Sequence, residues 1–190
     1  MKLLNSPITR FSVIVITIFI SSAFTLTNSG TKNVSAQKSV MIADWQWAKE
    51  YTLQYIESMP ESGLDIKPTD SVRTFSQQML HITGANVGFA AQVSGMPPTI
   101  EDPRGLEKST KYNTKAALSE VVGKGYDYVI ATIEATDDER LNSKINLFGQ
   151  IEMTGTEAYH KAFIHQNHHR GQCAVYIRLA GGTPAPMKLL

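Results

Sequence analysis

Four stretches of helical periodicity, separated by loops that contain proline and glycine, constrain what this 190-residue chain can fold into. Apolar residues recur within them at intervals of three and four, as in helices that bury one face. Four such helices predict an all-α domain, a four-helix bundle that can build a metal site in its core from facing helices. The predicted helices span residues 44–59, 70–94, 114–136 and 156–180.

Capping residues define the ends of these helices. Asp44 is the expected N-cap of the first helix, and Pro60 stops it. Asp70 or Ser71 is expected to cap the second helix, and Gly95 follows its last residue. Between the third and fourth helices, the segment I-N-L-F-G-Q-I-E-M is compatible with a short extended piece.

Four of the five histidines lie in one ten-residue window of the last predicted helix. Neutral imidazole is the commonest side-chain metal ligand. Residues four apart share a helix face, so His165 and His169 can reach one ion, while His165 and His168 form a competing pair. His160 points to the opposite side and is expected at the surface. A third ligand brought in by folding, with His81 of the second helix as the candidate, would complete a site that keeps one position open.

Small residues follow His81 on its face of the second predicted helix. Glycine in a helix interior costs about 1 kcal/mol relative to alanine, so two glycines here call for a packing or cavity explanation. We predict that they form one wall of a pocket beside the metal, with side chains of the fourth helix on the far wall. The predicted lining residues are Gly84, Gly88, Gln172 and Tyr176.

Two further residues of the fourth helix have expected structural roles. Arg170 points away from the histidine face and is expected to fix the helix through a salt bridge or backbone carbonyls. Cys173 is the only cysteine, so no intrachain disulfide can form, and it suits an apolar interior position.

Residues 1–36 have the organisation of a secretory signal peptide. Lys2 and Arg10 precede an apolar run, Phe11–Leu26, and small residues lead to a cleavage point after Ala36. An uncleaved membrane anchor is the alternative, but the run has 16 residues and a spanning helix needs about 20. The prediction is an exported protein, periplasmic or extracellular, with one domain over residues 37–190 and no stable membrane insertion after processing.

The formal net charge of +1 is too small for an electrostatic footprint on nucleic acid. The chain contains no H-E-x-x-H, no G-x-S-x-G and no phosphate-binding glycine loop. The expected partners are therefore small molecules, and a homodimer is left open.

Two blocks resemble the DinB-like (damage-inducible) superfamily, to which thiol S-transferases are related. H-Q-N-H-H-R-G-Q-C-A-V-Y-I-R-L-A-G is similar to its terminal signature, and S-V-R-T-F-S-Q-Q-M-L-H-I resembles its second-helix block. The resemblance covers approximately residues 40–185. It implies an up-up-down-down four-helix bundle with one divalent metal ion, nickel or zinc. Carried over by position, the implied ligands are His81, His165 and His169.

The resemblance implies thiol-transfer activity, and the chemistry of a three-histidine site predicts a metal-dependent transferase or hydrolase that activates a thiol or water. Three neutral ligands leave the charge of the metal uncompensated, which lowers the pKa of a bound thiol or water. No acidic residue lies on either histidine-bearing face, which favours thiol activation and a small thiol or electrophile as substrate, with no catalytic side chain assigned. The alternative is a non-enzymatic protein for metal storage, sensing or stress response. A pocket beside the metal large enough for an organic substrate would separate the two.

Overall fold

A computed structural model describes residues 14–188 of the protein, with side chains from residue 36 onward. Apart from the first part of the first helix, which falls in a second unit, Met1–Ser39, the features below belong to one compact unit, Val40–Leu190. The predicted signal peptide lies outside the described residues over 1–13, and it is described only as helical backbone over 14–35, so export stays a prediction. Across residues 14–188, no helix is both long and apolar enough to cross a membrane.

Four long helices make up most of this unit, with a small antiparallel hairpin before the last of them. Short 3₁₀ turns occupy Glu61–Gly63 and Leu106–Lys108. The helices are α1 (Ile14–Ser58), α2 (Phe75–Ser94), α3 (Lys115–Ala135), the short α4 (Asp138–Asn142) and α5 (Gly155–Leu179); the strands are β1 (Lys144–Leu147) and β2 (Ile151–Thr154).

The first helix ends as predicted but begins much earlier. α1 ends at Ser58, two residues before Pro60. It is already helical at Ile14, so the prediction of Asp44 as its N-cap was wrong. Residues 31–43 contain neither glycine nor proline, and a single aspartate without a helix breaker does not start a new helix.

The second helix begins later than predicted. Its N-cap is Thr74, not Asp70 or Ser71. Thr74 Oγ1 accepts from the backbone N–H of Gln77 at 3.2 Å, and the Gln77 side chain accepts from the Thr74 N–H at 2.9 Å. This capping box satisfies two N–H groups that a lone aspartate would leave to water. The predicted end is confirmed, since Gly95 adopts φ +73°.

The segment predicted to be extended forms the β1–β2 hairpin. Leu147 pairs with Ile151 next to the turn. The turn residues Phe148 and Gly149 both have positive φ, +54° and +73°, a region that residues other than glycine rarely adopt. Asparagine is the usual residue at the first of these positions, so phenylalanine there is locally unfavourable.

The helix ends show which helices run parallel. At one end, the Lys115 backbone N–H at the start of α3 donates to the Glu61 carboxylate just after α1, at 3.0 Å. The Ser76 N–H near the start of α2 donates to Leu64 O at 3.0 Å. Gly182, just after α5, packs against the Ser58 carbonyl. The ends of α1 and α5 therefore lie beside the starts of α2 and α3.

At the opposite end, Arg140, after α3, donates to the Val93 carbonyl at the end of α2, at 2.7 Å. Gly155, the start of α5, contacts the same valine. The order is thus up-down-down-up, and the expected up-up-down-down order was wrong. Residues 59–74 fold into a tight reversal, whereas residues 95–114 form the long return that two parallel helices need. A 20-residue helix is about 30 Å long, which a loop of this size can span.

Candidate metal centre

Packing of α2 against α5 brings three of the five histidines together. The ring centroids of His81 and His169 are 4.5 Å apart, those of His165 and His169 are 4.5 Å apart, and those of His81 and His165 are 5.2 Å apart. One nitrogen from each ring can be chosen so that all three lie within 4.8 Å of one another. His165 and His169 are one helical turn apart on α5, and His81 approaches them from α2.

These distances suit one small divalent ion. A metal–nitrogen bond of about 2.1 Å places two nitrogens of a tetrahedral site about 3.4 Å apart. Rings whose nitrogens already lie within 4.8 Å reach that spacing through small side-chain rotations. The cluster could therefore hold a metal ion with three protein ligands, which is the ligand number of an open site.

The surroundings keep all three imidazoles neutral near pH 7. Burial, aided by the neighbouring histidines and Arg73, lowers the pKa of both His165 and His169 to about 4. Burial and the charge of Arg73 also lower the pKa of His81, against the opposing effect of Glu107. A metal ligand must carry a free lone pair, so the cluster is ready to bind without first losing protons.

Glu107 orients His81. Its Oε2 atom lies 2.8 Å from His81 Nδ1, and Arg73 Nε donates to the same oxygen at 2.9 Å. A neutral His81 donates from Nδ1, which leaves Nε2 with the lone pair that faces a metal. Burial alone would raise the pKa of Glu107, but its bonds to Arg73 and His81 lower it. The carboxylate is therefore ionised and held on two partners.

Gln78 orients the ring of His169 in the same way. Its Oε1 atom lies 2.9 Å from His169 Nδ1. Its Nε2 atom donates to Gln172 Oε1 at 2.9 Å and to the Tyr176 hydroxyl at 3.3 Å. Tyr176 in turn donates to the backbone carbonyl of Arg73 at 3.0 Å. This network fixes the ring of His169, and it is buried at Gln78 and Tyr176.

The third imidazole has an unsatisfied nitrogen. His165 Nδ1 is buried and has no hydrogen-bond partner among the described residues. A buried polar nitrogen without a partner is costly. Coordination to an ion is an interaction that this ring can still make, and the donor set of the cluster therefore fits a metal.

The other two histidines lie outside the cluster. His160 is exposed, as predicted. His168 is also exposed, and its Nε2 atom accepts from the Gln172 side chain at 2.9 Å. The structure thus brings His165 together with His169 and not with His168.

A cavity of about 250 Å³ adjoins the cluster, with His81 in its wall. Gly88 leaves open space, since the atom nearest to a Cβ there is Phe148 Cε1 at 4.0 Å. Gly84 also lines the cavity, but its Cα packs so tightly on the Pro103 carbonyl that a Cβ would collide with it. The remaining lining residues are Leu80, Ala85, Phe89, Arg104 and Glu107.

The lining of the observed cavity differs in part from the predicted lining. Gly84 and Gly88 of α2 line the cavity. Gln172 lines a second, more polar depression together with His169. Tyr176 is only 3% exposed and belongs to the hydrogen-bond network behind His169. The far wall of the cavity comes instead from the 95–114 loop and from Phe148 of the hairpin.

Sequence reasoning missed Glu107 and Gln78. Glu107 lies in the 3₁₀ turn of a long loop, where helical periodicity does not predict which way a side chain points. Gln78 does lie on the His81 face of α2, three residues before the histidine, and that spacing was the available signal.

Arg170 is buried on the side of α5 opposite to the cluster, at 4% exposure. Its Nη1 atom donates to Gln166 Oε1 at 2.8 Å and to Thr52 Oγ1 at 3.1 Å, and Nη2 donates to Asn167. The guanidinium also lies 4.6 Å from the ring centroid of Tyr51.

The expected backbone contact of Arg170 is present, with the Ala48 carbonyl at 3.4 Å. The alternative, a salt bridge, is absent within the described residues. Cys173 is fully buried, and burial raises its pKa, so it is an interior thiol.

These observations define a class of protein: helical bundles with a cluster of three histidines between two helices. The DinB family profile matches residues 30–190, and the chain belongs to the DinB family. A DinB-like protein from Bacillus cereus has a similar structure, with a TM-score of 0.66, 19% identity, and coverage of 78% of this chain and 95% of that one. A DinB-like protein from Bacillus subtilis gives a TM-score of 0.61 and 19% identity, over 77% and 96%. No curated protein matches the chain.

Proposed function

We propose that this protein binds one divalent metal ion through His81, His165 and His169 and uses it to activate a thiol or a water molecule. The observation that carries the proposal is the neutral three-histidine cluster, whose nitrogens lie within 4.8 Å of one another. Two of its rings are oriented by Glu107 and Gln78. Structural zinc sites usually have four protein ligands, whereas a three-ligand site keeps a position for substrate.

When bound, the ion supplies the positive charge that lowers the pKa of a thiol or water. The protein residues hold the ligand rings neutral and directed inward. The Glu107 carboxylate is engaged by both His81 and Arg73, which leaves it poorly placed to act as a general base. A thiol bound to the ion would release its proton to solvent water at neutral pH without a protein base, so a thiol transferase is favoured over a hydrolase.

The cavity beside His81 favours an enzyme over a storage or sensing protein. A site that only stores metal has no need for an apolar cavity of about 250 Å³ at one ligand. Replacing Gly88 with leucine should fill this cavity and leave all three ligands in place. A folded, metal-loaded Gly88→Leu protein should then lose turnover on any substrate of the wild type. Overpacking could also cost about 1–3 kcal/mol, so folding is checked by circular dichroism.

Gly171→Leu is the matched control, because Gly171 is an exposed α5 glycine with open space around its Cα. Its activity should equal that of the wild type. Undiminished activity of a folded Gly88→Leu protein would place the reaction elsewhere.

Elemental analysis of protein purified without a histidine tag tests metal binding and identifies the metal, with zinc or nickel expected. One ion per chain should be found, and it should be lost in His165→Ala and His169→Ala and strongly reduced in His81→Ala. His168→Ala is the control, since His168 is exposed and outside the cluster. Loss of metal in His168→Ala with retention in His169→Ala would contradict the ligand assignment.

We also propose that the protein is exported, with residues 1–36 as a signal peptide. The charged start, apolar run and small residues before Gln37 support this. Mass spectrometry of natively processed protein should show a chain that begins near Gln37. An intact N-terminus in a membrane fraction would favour an anchored protein instead.

A further inference from the structure

The cavity beside His81 is apolar over most of its wall. Leu80, Ala85, Phe89, Pro103 and Phe148 contribute hydrocarbon or aromatic surface to it. Phe89 and Phe148 meet edge to face, with ring centroids 5.1 Å apart at an interplanar angle of 88°. Such a wall favours the apolar part of a ligand over water.

One cation at this cavity has no partner among the side chains that the structure describes. Arg104 lines the cavity and is exposed, and it makes no hydrogen bond or ion pair with residues 36–188. Glu107, the acid in the lining, is already engaged by Arg73 and His81. The neighbouring acids Glu101 and Asp102 line a separate depression that also holds two lysines.

The charges around the cavity therefore favour an anion. Glu107 offsets Arg73, while Arg104 is left uncompensated. A divalent ion on the cluster would add further positive charge. A guanidinium binds carboxylate and phosphate-like groups through paired hydrogen bonds.

The volume limits the size of the ligand. Pockets for drug-sized molecules occupy roughly 300–1,000 Å³, and this cavity has about 250 Å³. It can enclose one aromatic ring or a branched chain of similar size.

The position of Phe148 is a further argument for a ligand at this wall. It occupies a turn position with φ +54°, where asparagine or glycine is favoured. Its side chain is 42% exposed, so burial in the protein core does not explain it. Phe148 contacts Phe89, and contact with an apolar ligand would give it a role that an asparagine could not fill.

We propose that the substrate of this site is a small organic anion whose apolar body occupies the cavity and whose acidic group pairs with Arg104. The proposal rests on the function proposed above, since it names the substrate class of the same site. Arg104 and Phe148 are then specificity residues for that substrate.

The test measures binding of three probes to the full-length protein by NMR titration or calorimetry. The probes are 3-phenylpropionate, its neutral amide 3-phenylpropionamide, and acetate, which lacks the apolar body. Measurements are made on protein as purified and after treatment with EDTA, because a carboxylate could also bind a metal ion directly. The variants are Arg104→Gln, Phe148→Asn and the control Arg178→Gln, which alters an exposed arginine at the end of α5.

In EDTA-treated wild type, 3-phenylpropionate should bind more tightly than its amide, and acetate should show no saturable binding. Arg104→Gln should weaken the binding of 3-phenylpropionate by about threefold to tenfold and leave the binding of the amide unchanged. Phe148→Asn should weaken both aromatic probes without loss of thermal stability. Arg178→Gln should change nothing.

Equal binding of the carboxylate and the amide to the wild type would overturn the proposal, and so would an unchanged Arg104→Gln. Saturable acetate binding of equal strength, or no binding of 3-phenylpropionate, would overturn it as well. Metal content is measured separately on the same samples. Metal-loaded protein without probe discrimination rejects only this inference, whereas probe discrimination by protein that never binds metal rejects the proposed function.

Discussion

The Nδ1 atom of His81 lies 2.8 Å from Oε2 of Glu107, a residue 26 positions later in the chain. This contact fixes which nitrogen of His81 faces the other two histidines. Partners of this kind commonly change metal affinity by about 10–100-fold when they are removed.

Glu107→Ala should therefore weaken metal binding by about 10–100-fold while the fold is retained. The lost contacts with His81 and Arg73 are only partly buried, so circular dichroism should be unchanged. Affinity is measured by competition with a chromophoric chelator. Glu120→Ala is the control, because Glu120 pairs with Lys124 on an exposed face of α3; equal losses in the two variants would contradict the role of Glu107.

Substitution by alanine should change the free energy of unfolding in opposite directions at Gly84 and Gly88. Alanine stabilises a helix interior by about 1 kcal/mol relative to glycine. At Gly88 a Cβ has space, so Gly88→Ala should gain up to about that amount. At Gly84 a Cβ would collide with the Pro103 carbonyl, so Gly84→Ala should destabilise the protein and loosen the loop that carries Glu107. Urea unfolding of both variants provides the comparison, and equal stabilisation would show that the loop does not pack tightly on Gly84.

Metal-free protein should lose stability as the pH falls from about 6.5 towards 4. The folded pKa of His165 and of His169 is about 4, against an ordinary value of 6.5. Between these values the unfolded chain binds more protons than the folded chain, so the stabilisation is complete above pH 6.5 and is lost on acidification. Urea midpoints of EDTA-treated protein at pH 7 and pH 5 measure the effect. A His165→Gln/His169→Gln double variant should lose less stability over that interval, and an equal loss would refute the assignment.

Arg170→Lys should reduce stability and preserve metal binding. Lysine cannot reproduce the contacts that the guanidinium makes with Thr52, Gln166 and Asn167. A loss of about 1–3 kcal/mol in the free energy of unfolding is expected. Arg178→Lys, at an exposed position, should cost almost nothing. A large loss of bound metal in folded Arg170→Lys would mean that Arg170 also positions His169.

Much of the helical content was predictable from the sequence, and so were His165–His169 and His165–His168 as the two candidate pairs, between which only the resemblance to the DinB-like superfamily selected His169. Both depend on helical periodicity, which is a local property that puts residues four apart on one face. The bounds of α3 and α5, predicted as 114–136 and 156–180, lie close to the observed Lys115–Ala135 and Gly155–Leu179, and the glycines after α5 are a local signal for its end. The start of α1 could not be predicted. Asp44 is a typical N-cap residue, but residues 31–43 contain no glycine or proline that would end the helix before it.

The tertiary structure alone decided the helix order and the partners of the cluster. The contacts of Glu107 with His81 and of Gln78 with His169 join residues 26 and 91 positions apart. No periodicity relates such residues, because their distance depends on how loops return and how helices pack. The sequence by itself determined which side chains share a helix face. Only packing of α2, α5 and the 95–114 loop decided that three imidazoles, one carboxylate and one apolar cavity meet.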